Sequence, residues 1–256
     1  MHVVACQLDL VWEDPQANRQ RIRDMLAGES IPAGSLIVLP EMFQTGFTMD
    51  VQAARDTDGS SARFLQDLAK AHQSTVIAGV VGGHAEGKGL NQAVAVAPNG
   101  TEVSRYTKMH PFTFAGESDH YQAGDAVAVF DLDGFKIAPL ICYDLRFPER
   151  FRDAVRLGAM VFVVIANWPS PRAAHWSALL QARAIENQAY VIGVNRVGKD
   201  PNHRYPGLST VIDPQGQVIA AADDQPTVLH ADLDLDALLN YRKSFPVLDD
   251  MCKASD

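Results

Sequence analysis

Phe135-Lys136-Ile137-Ala138-Pro139-Leu140-Ile141-Cys142-Tyr143-Asp144-Leu145-Arg146-Phe147-Pro148-Glu149 begins as a short apolar run and breaks at a cysteine into polar turn chemistry. The stretch reads as a strand, a cysteine turn and then a helix. Asp133-Gly134 is a hairpin signal that opens the strand, and Pro148 fits a first helical position, where a missing N–H is harmless. The helix is expected to run on from Glu149 through Val155. Such a turn holds a side chain at the carboxyl end of a strand, beside free backbone N–H groups and a helix N-terminus that favours a thiolate. That setting suits a nucleophile, although a free cysteine is equally at home as a small buried hydrophobe. A nucleophilic cysteine also needs a base and an oxyanion stabiliser, and these must come from the rest of the chain.

Working outward, 256 residues that are 47% hydrophobic and 21% charged are an ordinary globular mixture with ample core. The net charge of -9 and the absence of a basic run argue against a nucleic-acid or anionic-membrane surface, so a small-molecule ligand is expected. No basic segment precedes an apolar one near Met1, and the longest apolar run, Ala159 to Ala166, is too short to span a bilayer. Cys6, Cys142 and Cys252 form neither a disulfide framework nor a metal spacing, and the eight histidines are dispersed. The expectation is a reduced, cytoplasmic protein with no metal and no cofactor.

On the N-terminal side, Val3 to Leu8 reads as a strand, and Asp14-Pro15 opens a helix with Ile22, Met25 and Leu26 on one face. Leu36 to Leu39 is a buried strand that runs directly into Pro40-Glu41. Asp58-Gly59-Ser60 caps the next helix, and Thr75 to Val80 is again a strand. Gly82-Gly83-His84-Ala85-Glu86-Gly87-Lys88-Gly89 resembles a phosphate-binding loop up to its lysine. Gly89 replaces the magnesium-binding Ser or Thr, however, and the following residues are strand-like, so a hairpin is the better reading. Lys108 lies just past the strand Glu102 to Tyr106. Met109 to Gly124, with Pro111, Phe112, Phe114, Glu117 and Tyr121, lacks periodicity, and its aromatics point to an ordered lid.

Beyond the cysteine turn, Met160 to Ile165 is a buried strand ending at Asn167-Trp168-Pro169, and His175 to Gln188 is a helix. Tyr190 to Val194 is a strand, Leu208 to Ile212 and Gln217 to Ala222 pair as a hairpin, and Thr227 to Leu233 precedes a short helix and a tail from about 243. Two halves with matching element order and no linker imply a single α/β domain over 1–256 with internal pseudo-symmetry. Glu41, Lys108, Cys142 and Asn167-Trp168 all directly follow strands, where α/β sheets place their ligand crevices.

Leu39-Pro40-Glu41-Met42-Phe43, Tyr106-Thr107-Lys108-Met109-His110 and Ile141-Cys142-Tyr143-Asp144-Leu145-Arg146-Phe147-Pro148-Glu149 together resemble the nitrilase (carbon–nitrogen hydrolase) superfamily in order and spacing. Arg183-Ala184-Ile185-Glu186-Asn187-Gln188-Ala189-Tyr190 extends the resemblance over nearly the whole chain. It implies a four-layer α-β-β-α sandwich, a homodimer and a Glu-Lys-Cys catalytic set. Tyr143-Asp144 resembles the amidase branches, whereas true nitrilases usually carry Trp-Glu there. Asn167 to Arg172 and Glu117 to Asp125 are similar to bacterial omega-amidases, which hydrolyse the terminal amide of 2-oxo dicarboxylic acid monoamides such as 2-oxoglutaramate. Another amidase of the superfamily, or an N-carbamoyl amino acid hydrolase, is the nearest alternative. A nucleotide-binding module on the Gly82 to Gly89 loop is the alternative from a different class.

The roles expected of the residues follow from their chemistry. Glu41 is the general base that takes the thiol proton of Cys142 and returns it to ammonia. Lys108 and the backbone N–H of Tyr143 hold the oxyanion, and Glu117 is a second carboxylate orienting Lys108 or the leaving group. An amide with a remote carboxylate calls for a cation, for which Arg172 is the first candidate ahead of Arg196 and Arg204. Trp168 and Tyr121 are candidate donors to a 2-oxo group. Arg146, Glu149, Arg183 and Glu186 are expected to form structural ion pairs.

Overall fold

A computed structural model describes residues 1–83 and 87–251. Five strands from the first half, β1 (His2–Gln7), β2 (Leu36–Val38), β3 (Thr75–Gly83), β4 (Gly89–Val96) and β5 (Glu102–Thr107), join the last strand of the chain in one sheet. The second sheet holds β6 (Phe130–Leu132), β7 (Phe135–Ile141), β8 (Val161–Ala166), β9 (Tyr190–Asn195), β12 (Thr210–Ile212) and β13 (Val218–Ala221). Between β9 and β12 lies a separate hairpin, β10 (Val197–Lys199) with β11 (Arg204–Pro206), and β14 (Thr227–Asp232) closes the first sheet. The orders are β14-β1-β2-β3-β4-β5 and β13-β12-β9-β8-β7-β6.

Each sheet has a parallel core of three strands, β1-β2-β3 or β7-β8-β9, continued by an antiparallel pair and flanked on the other side by one antiparallel strand. That correspondence is the pseudo-symmetry expected from the element order.

Alternation along the strands of the first sheet explains the layering. Val3, Ala5, Leu36, Val38 and Ile77 face the second sheet. Their neighbours Val4, Cys6, Ile37, Val76 and Ala78 pack on the helices α1 (Pro15–Ala27) and α3 (Ser60–Ala71). Between these two helices sits a single turn, α2 (Val51–Ala54), and the lid segment contributes another, α4 (Glu117–His120). Over the second sheet lie α5 (Pro148–Arg156) and α6 (Ala173–Asn187), which bury Phe151, Trp176 and Leu180. The result is an α-β-β-α sandwich. Helix α7 (Leu235–Ser244) follows β14, and its Arg242 donates to the carbonyls of Ala159 and Gln188.

Two helix starts carry the expected residues, whereas at α3 the N-cap is Gly59 and Asp56, not Asp58, accepts from the Ser61 and Ala62 N–H groups. Asp14 accepts from the Ala17 N–H with Pro15 in the first turn, and Pro148 opens α5. Three further features differ from the sequence reading. Cys142 is followed by a 3-10 turn, Cys142–Arg146, before α5 begins. The β10-β11 hairpin and α2 are too short to leave a periodic pattern. In keeping with the hairpin reading, Gly82 and Gly83 end β3 and Gly89 opens its antiparallel partner β4; residues 84–86 of that loop, like Cys252, lie outside the described residues.

Candidate active site

Glu41, Lys108, Cys142 and Glu117 converge where the carboxyl ends of the two parallel cores meet, and their exposures are 0%, 1%, 9% and 0%. Glu41 follows β2 on a turn that is fastened to β3: the Gly79 N–H donates to Pro40 O (3.1 Å) and the Phe43 N–H to Gly79 O (3.0 Å). Lys108 follows β5, its N–H bonded to Asn91 O at 2.9 Å. Cys142 follows β7 with φ +45°, a left-handed conformation that costs an L residue about 1–2 kcal/mol.

The Lys108 ammonium donates to Glu41 Oε1 (3.0 Å) and to both oxygens of Glu117 (3.0 and 2.8 Å). Asn91 was not anticipated from the sequence, yet its Nδ2 bridges Glu41 Oε1 (2.7 Å) and Glu117 Oε1 (2.9 Å). The other Glu41 oxygen accepts from the Asn167 backbone N–H at 2.8 Å, and Asn167 Nδ2 donates to Glu41 O at 2.7 Å. Glu117 Oε2 also accepts from the Phe112 N–H, which ties the lid to the site. Both carboxylates are therefore saturated with donors, which is how buried charge is tolerated.

The electrostatics correct one expectation. Burial would push the Lys108 ammonium down, but Glu117 and Glu41 more than offset it and raise it above its ordinary range. Burial pushes the Cys142 thiol well up and Glu41 adds to that, with Lys108 only partly opposing. Burial first, and the Glu41 charge after it, oppose the thiolate that a helix N-terminus would favour. A protonated thiol beside a carboxylate is an arrangement that needs a base at the moment of attack.

Cys142 opens into a cavity of about 460 Å³ walled by Trp12, Phe47, Phe112, Tyr143, Trp168 and Tyr205. Arg146 and Arg172 both line it. Arg172 lies 5.2 Å from the Phe112 ring centroid, and Arg146 lies 4.8 Å from that of Trp168. Neither arginine has a carboxylate partner among the described residues, which overturns the structural ion pair expected of Arg146. Its guanidinium instead contacts His175 Nδ1 at 3.1 Å. Arg183 and Glu186 do pair, at 2.9 Å. Arg196 is fully buried and donates to Leu10 O and Lys199 O, and Arg204 is exposed at the start of β11; neither lines the cavity.

Two candidate donors are already engaged. Trp168 forms part of the wall, but its indole N–H donates to Arg172 O at 2.8 Å. Tyr121 lies outside the cavity, 1% exposed, and its hydroxyl donates to Thr48 O at 2.7 Å. Tyr121 is a packing residue whose ring closely approaches Gly89.

The buried Cys-Glu-Lys cluster lies at the strand ends of a four-layer sandwich, and the model of the carbon-nitrogen hydrolase family matches residues 2–243. The chain belongs to that family and is an amidohydrolase. Its relatives include the omega-amidase YafV of Escherichia coli K12, 44% identical over 253 residues that cover 98% of this chain and 96% of that protein. The 2-oxoglutaramate amidase of Bacillus subtilis is 36% identical over 98% of this chain and 97% of its own length. Among solved structures, a CN-hydrolase superfamily protein of Xanthomonas campestris with an arsenic adduct in its active site superposes with a TM-score of 0.92 at 33% identity, covering 100% of this chain and 99% of that one.

Proposed function

We propose that this enzyme is an omega-amidase that hydrolyses the terminal amide of a small 2-oxo dicarboxylate monoamide such as 2-oxoglutaramate, releasing ammonia. The observation that carries the reading is the pairing of a buried Cys142-Glu41-Lys108-Glu117 cluster with two cavity arginines that hold no carboxylate among the described residues. Glu41 takes the proton of the neutral thiol as the sulfur attacks the amide carbon. The resulting oxyanion is held by Lys108 and the backbone N–H of Tyr143. Glu41 returns the proton to nitrogen, ammonia leaves, and a thioester remains on Cys142. Glu41 then removes a proton from water, which attacks the thioester and releases the acid and the thiol. Glu117 holds Lys108 in place and balances its charge.

The remote carboxylate is gripped by Arg172 or Arg146, since a planar guanidinium backed by an aromatic ring presents a fixed fork to an anion. The family resemblance supports a homodimer, which light scattering at micromolar concentration tests; a monomer would reject it, and the apolar residues Trp176 and Leu180 of α6 lend no support because they are buried in the core. We place the enzyme in the cytoplasm, on the scattered spacing of its three cysteines.

An ammonia-release screen over 2-oxoglutaramate, succinamate, glutamine, N-carbamoyl amino acids and simple nitriles tests the substrate. 2-Oxoglutaramate should lead, with a thioester trapped on Cys142 and Cys142→Ala inactive. Preference for a carbamoyl substrate or a nitrile would move the enzyme to another branch, and residual activity of Cys142→Ala within about tenfold of wild type would reject the covalent route.

A further inference from the structure

Asp144 stands two residues beyond the nucleophile and is 0% exposed. Its carboxylate is surrounded by donors from two separate elements. Oδ2 accepts from the Ile141 N–H (3.0 Å) and from the Tyr106 hydroxyl (2.7 Å). Oδ1 accepts from the His110 N–H (3.0 Å) and faces the Nδ1 of the same histidine at 3.0 Å. Burial, and then Asp144 itself, push the Tyr106 phenol well above its ordinary range, so this hydroxyl keeps its proton and donates. The same oxygen accepts from the Met109 N–H at 3.2 Å.

The two sets of donors bracket the reacting residues. Ile141 and Asp144 flank Cys142, and the bond between them closes the turn around a nucleophile held at φ +45°. Tyr106 and His110 flank Lys108 on either side. Beyond the turn, the Phe147 N–H donates to Asp144 O at 2.9 Å, and the Phe147 ring stacks on His110 with centroids 3.7 Å apart. Nothing in the hydrolysis requires a carboxylate at this position, and its charge is not matched by a lysine or arginine within salt-bridge distance among the described residues.

We propose that Asp144 is a positioning residue, whose carboxylate fixes the strained turn carrying Cys142 to the strand end carrying Lys108, with Tyr106 as its principal partner. The proposal rests on the roles given above to Cys142 and Lys108. It follows that sulfur and ammonium are set relative to each other by one buried anion rather than by the two sheets packing independently. Removing a hydrogen bond to a buried charge should then degrade alignment as well as stability.

The experiment compares full-length Tyr106→Phe and Asp144→Asn with wild type, well below their melting temperatures. It measures kcat and KM for 2-oxoglutaramate and, separately, the rate of iodoacetamide alkylation at Cys142 followed by peptide mass spectrometry. Tyr106→Phe should lower kcat by about tenfold, and Asp144→Asn by roughly a hundredfold, with KM within about threefold of wild type. The alkylation rate should change in both variants. A purely structural carboxylate would lower the melting temperature and leave kcat per folded enzyme and alkylation within about twofold of wild type, and that result overturns the proposal. If Asp144→Asn does not fold, Tyr106→Phe decides, because it removes one hydroxyl and keeps the ring. If wild type does not hydrolyse 2-oxoglutaramate, the substrate reading fails while the alkylation comparison still tests Asp144.

Discussion

At Arg172 and Arg146 the choice is which guanidinium meets the substrate's far carboxylate. Both line the cavity and lack a carboxylate partner among the described residues, so each is free to bind an anion without first breaking an ion pair. Arg172 sits on a short turn that Pro169 and Pro171 stiffen, whereas Arg146 leans on His175. If Arg172 makes the contact, Arg172→Leu should raise the barrier in kcat/KM for 2-oxoglutaramate by roughly 2 kcal/mol or more and leave a neutral amide nearly unaffected. The same split in Arg146→Leu, with Arg172→Leu silent, would transfer the role. Equal losses on both substrates would mark the residue as structural. Glu41, Lys108 and Cys142 stood out in the sequence because each follows a strand and because their order and spacing resemble the carbon–nitrogen hydrolase superfamily; the largely polar strand before Lys108 gave no signal of its own. Asn91 and Asp144 did not, because both are buried polar residues whose partners are set by strand register between segments far apart in sequence. Tyr121 and Trp168 were misjudged as donors for a related reason, since sequence shows a hydroxyl or an indole but not the carbonyl that already receives its proton.

Gly79 shows how one strand position controls a reacting group on another element. In the interior of β3 it faces the Glu41 turn so closely that a Cβ would lie 2.4 Å from Glu41 Cα and 2.5 Å from the Met42 nitrogen. These are backbone atoms fastened by hydrogen bonds on both sides, so no side-chain rotation relieves the clash. Gly79→Ala should therefore displace Glu41, lowering stability by about 1–3 kcal/mol and kcat by more than tenfold, roughly. Gly28 at the end of α1 has nothing within 4 Å of a Cβ and a negative φ, so Gly28→Ala should leave activity unchanged. Urea unfolding and ammonia release on both variants check the pair, and an active, stable Gly79→Ala would mean that the Glu41 turn can move away from β3 at no cost to catalysis. The glycine itself was visible in Thr75 to Val80, but its purpose was not. A lone glycine inside a strand signals close approach of another backbone, and only the pairing of β2 with β3 reveals which one.

For the whole molecule, repetition in the element order carried most of the fold. Parallel βαβ units force helices outward and leave the apolar faces of two sheets to cover each other. What the order could not give was the return of β14 to pair with β1, because antiparallel edge partners carry no local signal. That return leaves Cys6 on β1 with 0% exposure, facing the α1 and α3 layer. Burial, followed by the charge of Glu29, raises its thiol from 9.0 to about 12. In the unfolded chain the same thiol ionises near 9.0, so above that pH the folded state holds a proton that the unfolded state has lost. Folding stability contributed here is thus fully present below pH 9.0 and drains as pH climbs toward about 12, at roughly 1.4 kcal/mol per pH unit. The buried thiol of Cys142 and the phenols of Tyr106 and Tyr205, all raised by burial, act with the same sign. Cys6→Ala should cost about 1 kcal/mol near neutrality through the small void it leaves, and it should also remove one proton from the alkaline balance. The stability difference between wild type and Cys6→Ala, measured by urea unfolding under reducing conditions at steps from pH 8 upward, should shrink once pH passes 9.0 and then change sign. A difference that stays constant across that range would show that Cys6 ionises as freely in the folded protein as in the unfolded chain, and hence that the layer between the first sheet and its helices admits water.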